Sequence, residues 1–264
     1  MEYFIDAHAH TIYPETPMKF EAPAGSFDWE YYRQYMDHNG CQCMFMIPSE
    51  ANVRPEISSW SIMEAMLEKS GSRIAFMETF NPNDVAVSLE FLKKALPMES
   101  CVGIKIHPAS HKVSADDPRY REVFLAAREG GKPIMTHSWA VSDYNPTQKF
   151  SCPELFEKYF EEFPDVTFVL GHAGGRPESI DQVIRLCKKF PQVNVDVSGD
   201  YFNNGVTETL LKEVGADRIM LASDTYWIDQ RCELGMYFSS SATDEELADI
   251  FMNNARRIYN WQFD

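Results

Sequence analysis

Short apolar runs alternate with stretches of helical spacing along the whole of this 264-residue chain, and the alternation repeats eight times. The runs are Tyr3–Ile5, Cys41–Ile47, Arg73–Phe80, Val102–His107, Pro133–His137, Val166–Leu170, Val193–Val197 and Arg218–Leu221. This rhythm leaves few architectures open, because strands separated by helices pair in parallel and need covering on both faces. Cys41–Ile47, apolar throughout apart from Gln42, has the composition of a strand so covered. The number of runs, and a spacing of about thirty residues, fit an α/β fold of the (β/α)8 TIM-barrel type. It would span residues 1–264 as a single domain. A doubly wound open sheet is the alternative.

The segments between the runs carry ordinary helix punctuation. Phe27–Asn39 reads as a helix stopped by Gly40, and Pro55 opens one with Trp60, Met63, Met66 and Leu67 on one face. Asp84 is placed to cap a helix ending at Leu96. Pro118 and Pro153 open two more, with stripes that include Tyr120, Val123 and Phe124 and then Phe156, Tyr159 and Phe160. Ile180, Val183, Ile184 and Cys187 make a further stripe; Val206–Val214 and Asp244–Ile258 complete the set. The connection Thr11–Ser26, with prolines at 14, 17 and 23, cannot be regular structure and is expected to shape the mouth of a site.

Composition narrows the partners. A net charge of -16 opposes nucleic acid and anionic membrane surfaces, while a bound cation suits an acidic chain. No apolar run has membrane-spanning length, and no secretory leader is read at Met1, so the cytoplasm is the expected location. The six cysteines sit mostly in apolar patterns, and Cys41-Gln42-Cys43 is spaced too tightly for a zinc-finger pair. The partner expected is a small-molecule substrate; whether copies associate as a homo-oligomer is not fixed by the residues.

The histidines fall at selected places. Of seven, five stand at the expected carboxyl ends of strands: His8 and His10, His107, His137 and His172, and Asp224 follows the eighth run. In a barrel these ends face one mouth, where active sites are built. His8 and His10, two residues apart, project the same way from a strand end and offer a divalent cation two imidazoles. Each residue also has an ordinary alternative: a strand cap for His8 and His10, a buried ring bonded to backbone for His137, a turn cap for Asp224, a tolerated turn for His172. Asp6 shares strand parity with the first two histidines and is expected to support them rather than to ligate. His38 and His111 are assigned to surface or loop.

Ile5-Asp6-Ala7-His8-Ala9-His10, Gly103-Ile104-Lys105-Ile106-His107-Pro108, Thr136-His137, Gly171-His172-Ala173-Gly174-Gly175, Ser223-Asp224 and Asn254-Ala255-Arg256-Arg257-Ile258-Tyr259 together resemble the amidohydrolase superfamily. The nearest branch is the amidohydrolase-2 group, which also contains aminocarboxymuconate-semialdehyde decarboxylase. The resemblance implies that His8, His10, His137 and Asp224 hold one divalent ion, zinc by preference, with a water in an open position. It also implies that His172 acts beside that water as base or electrophile, and that Asp224 shuttles its proton.

Two roles are open for Lys105, which shares parity with His107: contact with an anionic or carbonyl group of substrate, or, as in some superfamily members, carboxylation to bridge two metals. Pairing with an internal acid such as Glu78 is the structural alternative. Trp139, Arg176, Tyr226 and Trp227 are candidates to stack on and clamp a small planar acid, or simply to pack the loops. Three functions follow. Hydrolysis of an amide, imide or lactone through a metal-activated water leads; non-oxidative decarboxylation of a small aromatic or unsaturated acid is second; a non-catalytic metal-binding scaffold is third.

Overall fold

A computed structural model describes residues 3–11, 29–199 and 202–262. The Pro-rich stretch expected to shape the mouth lies, from residue 12 on, outside them. Eight strands form one sheet: β1 (Phe4–Thr11), β2 (Cys41–Pro48), β3 (Ile74–Thr79), β4 (Cys101–Ile106), β5 (Ile134–His137), β6 (Phe168–Gly171), β7 (Val193–Asp196) and β8 (Ile219–Met220). Each pairs in parallel with the next, so the strand order never reverses as it would in a doubly wound sheet. The ring closes where Ala7 N–H donates to Leu221 O at 3.0 Å and Asp224 N–H donates to His8 O at 2.8 Å.

Two apolar layers result. Ile5, Ala7, Phe45, Met77, Met135 and Met220 are among those filling the barrel, and the floor is plugged by the tail, whose Tyr259 and Trp261 rings pack edge-on against Phe45 at 5.0 and 6.0 Å. A larger cluster lies between strands and helices. β1 changes face along its length. Its pairing with β2 shifts register between Asp6 and Ala9, and Ala9 packs in the outer layer although Ile5 and Ala7 pack in the inner one. Asp6 therefore does not share the histidines' face as strict alternation predicts. It is held by Ser223 and Gln230, whereas His8 and His10 turn toward the mouth.

The helices are α1 (Trp29–Asn39), α2 (Ser49–Val53), α3 (Ser59–Ser70), α4 (Val85–Ala95), α5 (Pro108–His111), α6 (Arg121–Gly130), α7 (Glu157–Glu162), α8 (Pro177–Lys189), α9 (Val206–Glu213), α10 (Gln230–Phe238), α11 (Asp244–Ala248) and α12 (Asn254–Ile258). Asp84 caps α4 as expected, its carboxylate accepting from Val87 N–H at 3.2 Å. The helix expected from Pro55 instead starts at Ser59, because the Ser58 hydroxyl caps it by accepting from Ser61 N–H. The closing helix is interrupted by a wider turn at Asp249–Asn253. His111, expected at the surface, is buried in α5 with Nδ1 2.9 Å from Tyr120 Oη, and burial pulls its pKa down to about 3. No helix among the described residues is long and apolar enough to cross a membrane.

Candidate active site

At the carboxyl ends of the strands lies a cavity of about 430 Å³, walled in part by His10, Lys105, His107, His137, His172 and Asp224. Its chemistry starts from two histidines. His10 Nδ1–H donates to Ile47 O at 2.8 Å, and its Nε2 faces Asp224 Oδ1 at 3.0 Å. Behind His8, Nδ1 lies 3.2 Å from Asp196 Oδ2 and 3.1 Å from Ser198 Oγ, and in front Nε2 lies 3.8 Å from Asp224 Oδ1. Two imidazole nitrogens and a carboxylate oxygen thus converge, with each ring held from behind as metal-ligating histidines are. These atoms of His8, His10 and Asp224 lie within 4.8 Å of one another. The donor set fits a divalent ion.

Burial is the main cause that keeps the imidazoles neutral and able to ligate: it pushes His8, His107 and His172 well below the ordinary histidine value and His137 down to about 3. Lys105 is fully buried in the same place, its Nζ 3.0 Å from His8 Nε2. Burial lowers its pKa to about 8, with Asp196 and Asp224 opposing the shift. The internal acid named as an alternative partner is engaged elsewhere, since Glu78 accepts from the backbone N–H groups of Ser59, Trp60 and Thr79.

Three of the four ligands implied by the sequence come together, and His137 does not join them as closely. Among the described residues the groupings within that 4.8 Å limit are His8, His10, Asp224 and His8, His172, Asp196. The second is a hydrogen-bonded cluster: Asp196 accepts from His172 N–H at 2.9 Å and Ser198 Oγ at 2.6 Å, and His172 Nδ1–H donates to Ser198 O at 3.1 Å. His137 Nε2–H donates instead to Gln148 Oε1 at 2.9 Å, and its ring lies parallel between His107, 4.1 Å away, and Trp139, 5.4 Å away. Of the clamp candidates, Trp139 and Trp227 line the cavity, while Arg176 and Tyr226 are not among its walls. The Arg176 guanidinium stacks on the Trp139 ring at 4.7 Å and reaches Tyr144 Oη at 2.9 Å.

The backbone is strained where the chemistry sits. His172, Ala173 and Asp224 have φ of 65°, 43° and 63°, values that residues with a Cβ seldom adopt outside functional turns. Gly171, just before that turn, allows two strands to approach: a Cβ there would lie 2.5 Å from Thr136 O and 3.3 Å from His8 Cε1. Gly171→Ala is expected to lower stability by at least about 1–3 kcal/mol, because the obstructing atom is backbone. Denaturant unfolding checks this, and a midpoint equal to that of the parent would contradict it.

Sequence reasoning passed over Asp196, Ser198, Gln148, Ser49 and Asn52. Asp196 had a signal, since it stands one residue before the end of the seventh run, near the rim that the histidines mark. Gln148 and Asn52 had none, being single polar residues in loops or a short helix.

Solved structures share this architecture over nearly the full chain. A 2,6-dihydroxybenzoate decarboxylase complexed with 2,6-dihydroxybenzoate superposes with a TM-score of 0.76 at 16% identity, covering 98% of this chain and 100% of its own. A 5-carboxyvanillate decarboxylase from Sphingomonas paucimobilis gives 0.76 at 15%, covering 99% and 100%. A dihydroxybenzoic acid decarboxylase from Polaromonas sp. JS666, with bound manganese and the inhibitor 2-nitroresorcinol, gives 0.74 at 16%, covering 98% and 97%. At these identities the likeness is one of fold. Among curated protein sequences none matches the chain. The sequence model of the amidohydrolase family does match, over residues 5–261, and the chain belongs to that metal-dependent family.

Proposed function

We propose that this protein is a metal-dependent carboxy-lyase that releases carbon dioxide, without oxidation, from a small aromatic or unsaturated carboxylic acid. The observation that carries this reading is the place of Lys105. A buried ammonium 3.0 Å from a ligand imidazole, lining the cavity beside Asp224 and the histidine rings, would draw a carboxylate to the reaction centre itself. The decarboxylase neighbours support the same choice over the hydrolysis that the sequence favoured.

His8, His10 and Asp224 would hold the ion, with His137 as a fourth donor through Nδ1, because its Nε2–H is committed to Gln148. The ion would supply a fixed positive charge and Lewis acidity at the substrate's carboxylate. Imidazole nitrogens with one carboxylate suit zinc. Lys105 binds and orients the anionic end. His107 and Trp139 border the slot and keep water from the reacting face. His172 and Asp224 carry a proton to the carbon that loses its carboxylate: the carbon–carbon bond breaks, its electron pair takes the proton, and carbon dioxide leaves. One carboxylate and one proton give one product and one carbon dioxide. The proposed setting is the cytoplasm, with an anionic small molecule as partner.

The test is a screen of hydroxybenzoates and unsaturated acids, beside lactones and amides, with protein loaded with zinc or manganese and analysed for metal. We expect carbon dioxide from an acid, about one ion per chain, and loss of activity on chelation that returns with metal. Acid or amine release from lactones or amides, without carbon dioxide, would overturn the lyase reading. Two ions per chain would point to a carboxylated Lys105 instead.

A further inference from the structure

The active-site cavity does not end at the metal ligands. It meets a second cavity of about 400 Å³, and the two share His107, Ser110, His137 and Gln148 as walls. Among the described residues the walls of this side cavity carry one cation, Lys112, and no acid, in a chain whose net charge is -16. Lys112 is exposed and makes no ion pair among the described residues. The acids nearest to it in sequence are engaged elsewhere, Asp116 with Ser114 Oγ at 2.5 Å and Asp117 with Arg119 at 2.8 Å. A backbone turn with φ of 56° fixes the start of the side chain just after α5, its N–H donating to Pro108 O. Glycine or asparagine adopts that conformation more easily than lysine, so the turn alone does not call for this residue.

Between Lys112 in one cavity and Lys105 in the other, the shared walls offer hydrogen-bond donors. His107 Nδ1 accepts from Ser110 N–H, which puts the ring proton on Nε2. Gln148 Oε1 accepts from His137 Nε2–H, which leaves the Gln148 amide NH2 to donate elsewhere. A carboxylate only accepts, so from the outer lysine to the inner one it meets groups that suit it. We propose that the side cavity is an entrance for the substrate's carboxylate and that Lys112 steers the anion into it. The chain as a whole repels an incoming anion, and an exposed charge acts over a Debye length, about 10 Å at 0.1 M salt, so an unpaired cation at the opening sets the local sign. Lys112 raises the rate of arrival without touching the reacting atoms. The proposal rests on the carboxy-lyase reading for the charge of the substrate, and adds to it a route and the residue that governs uptake.

Salicylate and salicylamide, fluorescent probes of like shape that differ in charge at neutral pH, separate steering from fit. Stopped-flow association with the metal-loaded protein at about 10 mM ionic strength should show Lys112→Asn slowing salicylate about two-fold and Lys112→Glu about four-fold, with salicylamide unchanged and dissociation rates equal. At about 0.5 M salt the differences should vanish. Asparagine suits the turn, so the Tm of Lys112→Asn should equal or exceed that of the parent, and slow uptake cannot then be put down to misfolding. Lys69→Glu, on an exposed position of α3, changes the net charge as much as Lys112→Glu and should leave salicylate association within about 1.5-fold of the parent. Salicylate association equal in the parent and both Lys112 variants, a Lys69→Glu effect as large as that of Lys112→Glu, salicylamide slowed as much as salicylate, or no salicylate binding by the parent overturns the steering. If salicylate shows the expected charge dependence and no acid loses carbon dioxide, the entrance stands and the carboxy-lyase reading fails.

Discussion

Replacing Asp224 with asparagine, which keeps the shape, is expected to strip the protein of its metal and its carbon dioxide release. The expectation comes from the three donor atoms that converge at the site, on His8, His10 and Asp224. Asp224 Oδ1 faces His10 Nε2 at 3.0 Å and His8 Nε2 at 3.8 Å, and it is the one anionic donor of the three residues. An asparagine offers a neutral amide in its place. It also tolerates the φ of 63° at this position better than most residues. Affinity for zinc or manganese should fall by more than about 100-fold, beyond the 10–100-fold typical of losing a group that merely orients a ligand. Asp196→Asn provides the contrast: it acts through His8 and should fall within that smaller range. Equilibrium dialysis with elemental analysis, beside Tm without metal, reads both effects. One tightly held ion per chain in the Asp224 variant would remove this residue from the ligand set.

Much of this site was readable before any coordinates, for a reason built into the fold. Parallel strands joined by helices put every carboxyl end on one rim, so residues remote in sequence meet if each terminates a strand. His8, His10, Lys105, His107, His137, His172 and Asp224 obey that rule and all but His8 line the cavity, with His8 directly behind His10 and Lys105. Parity was a weaker guide. Counting alternate residues along β1 puts Asp6 beside the histidines, and only the register shift after it sends its carboxylate to Gln230 on α10. Residues carried by loops were harder to place: Arg176 follows the glycine turn as expected, but its guanidinium turns back onto the Trp139 ring.

The fold was legible wherever apolar spacing was strong, and α10 shows where it was not. Gln230–Phe238 has no continuous apolar stripe because part of its buried face is polar: Gln230 reaches Asp6, while Glu233 and Tyr237 are also buried. A helix whose inward positions carry polar work looks like a loop to a pattern search. The same reasoning hid α2 and α5, each only a turn or so long and placed by what surrounds the cavity rather than by its own sequence.

Glu233 supplies the second large effect. Neither carboxylate oxygen has a hydrogen-bond partner among the described residues, and the side chain is fully buried. Burial above all, then the carboxylates of Asp196, Asp6 and Asp224, raises its pKa from the ordinary 4.5 to about 10. The folded protein therefore keeps this proton at neutral pH while the unfolded chain releases it. Because the unfolded state binds fewer protons between about 4.5 and 10, stability falls as pH rises through that window, at about 1.4 kcal/mol per pH unit for this one group. Below the window the penalty vanishes. Glu233→Gln keeps the shape and cannot ionise, so it should match the parent near pH 4.5 and exceed it progressively above, by about 5 kcal/mol at pH 8. Glu233→Met also removes the unmatched polar atoms and should be the more stable protein even at the acid end, where charge plays no part. Denaturant midpoints for the three proteins at pH 5, 6.5 and 8 decide the matter. A Gln-minus-Glu difference that stays constant with pH would show that the unfolded and folded chains hold this proton alike, and that the carboxyl has a stabilising partner when ionised.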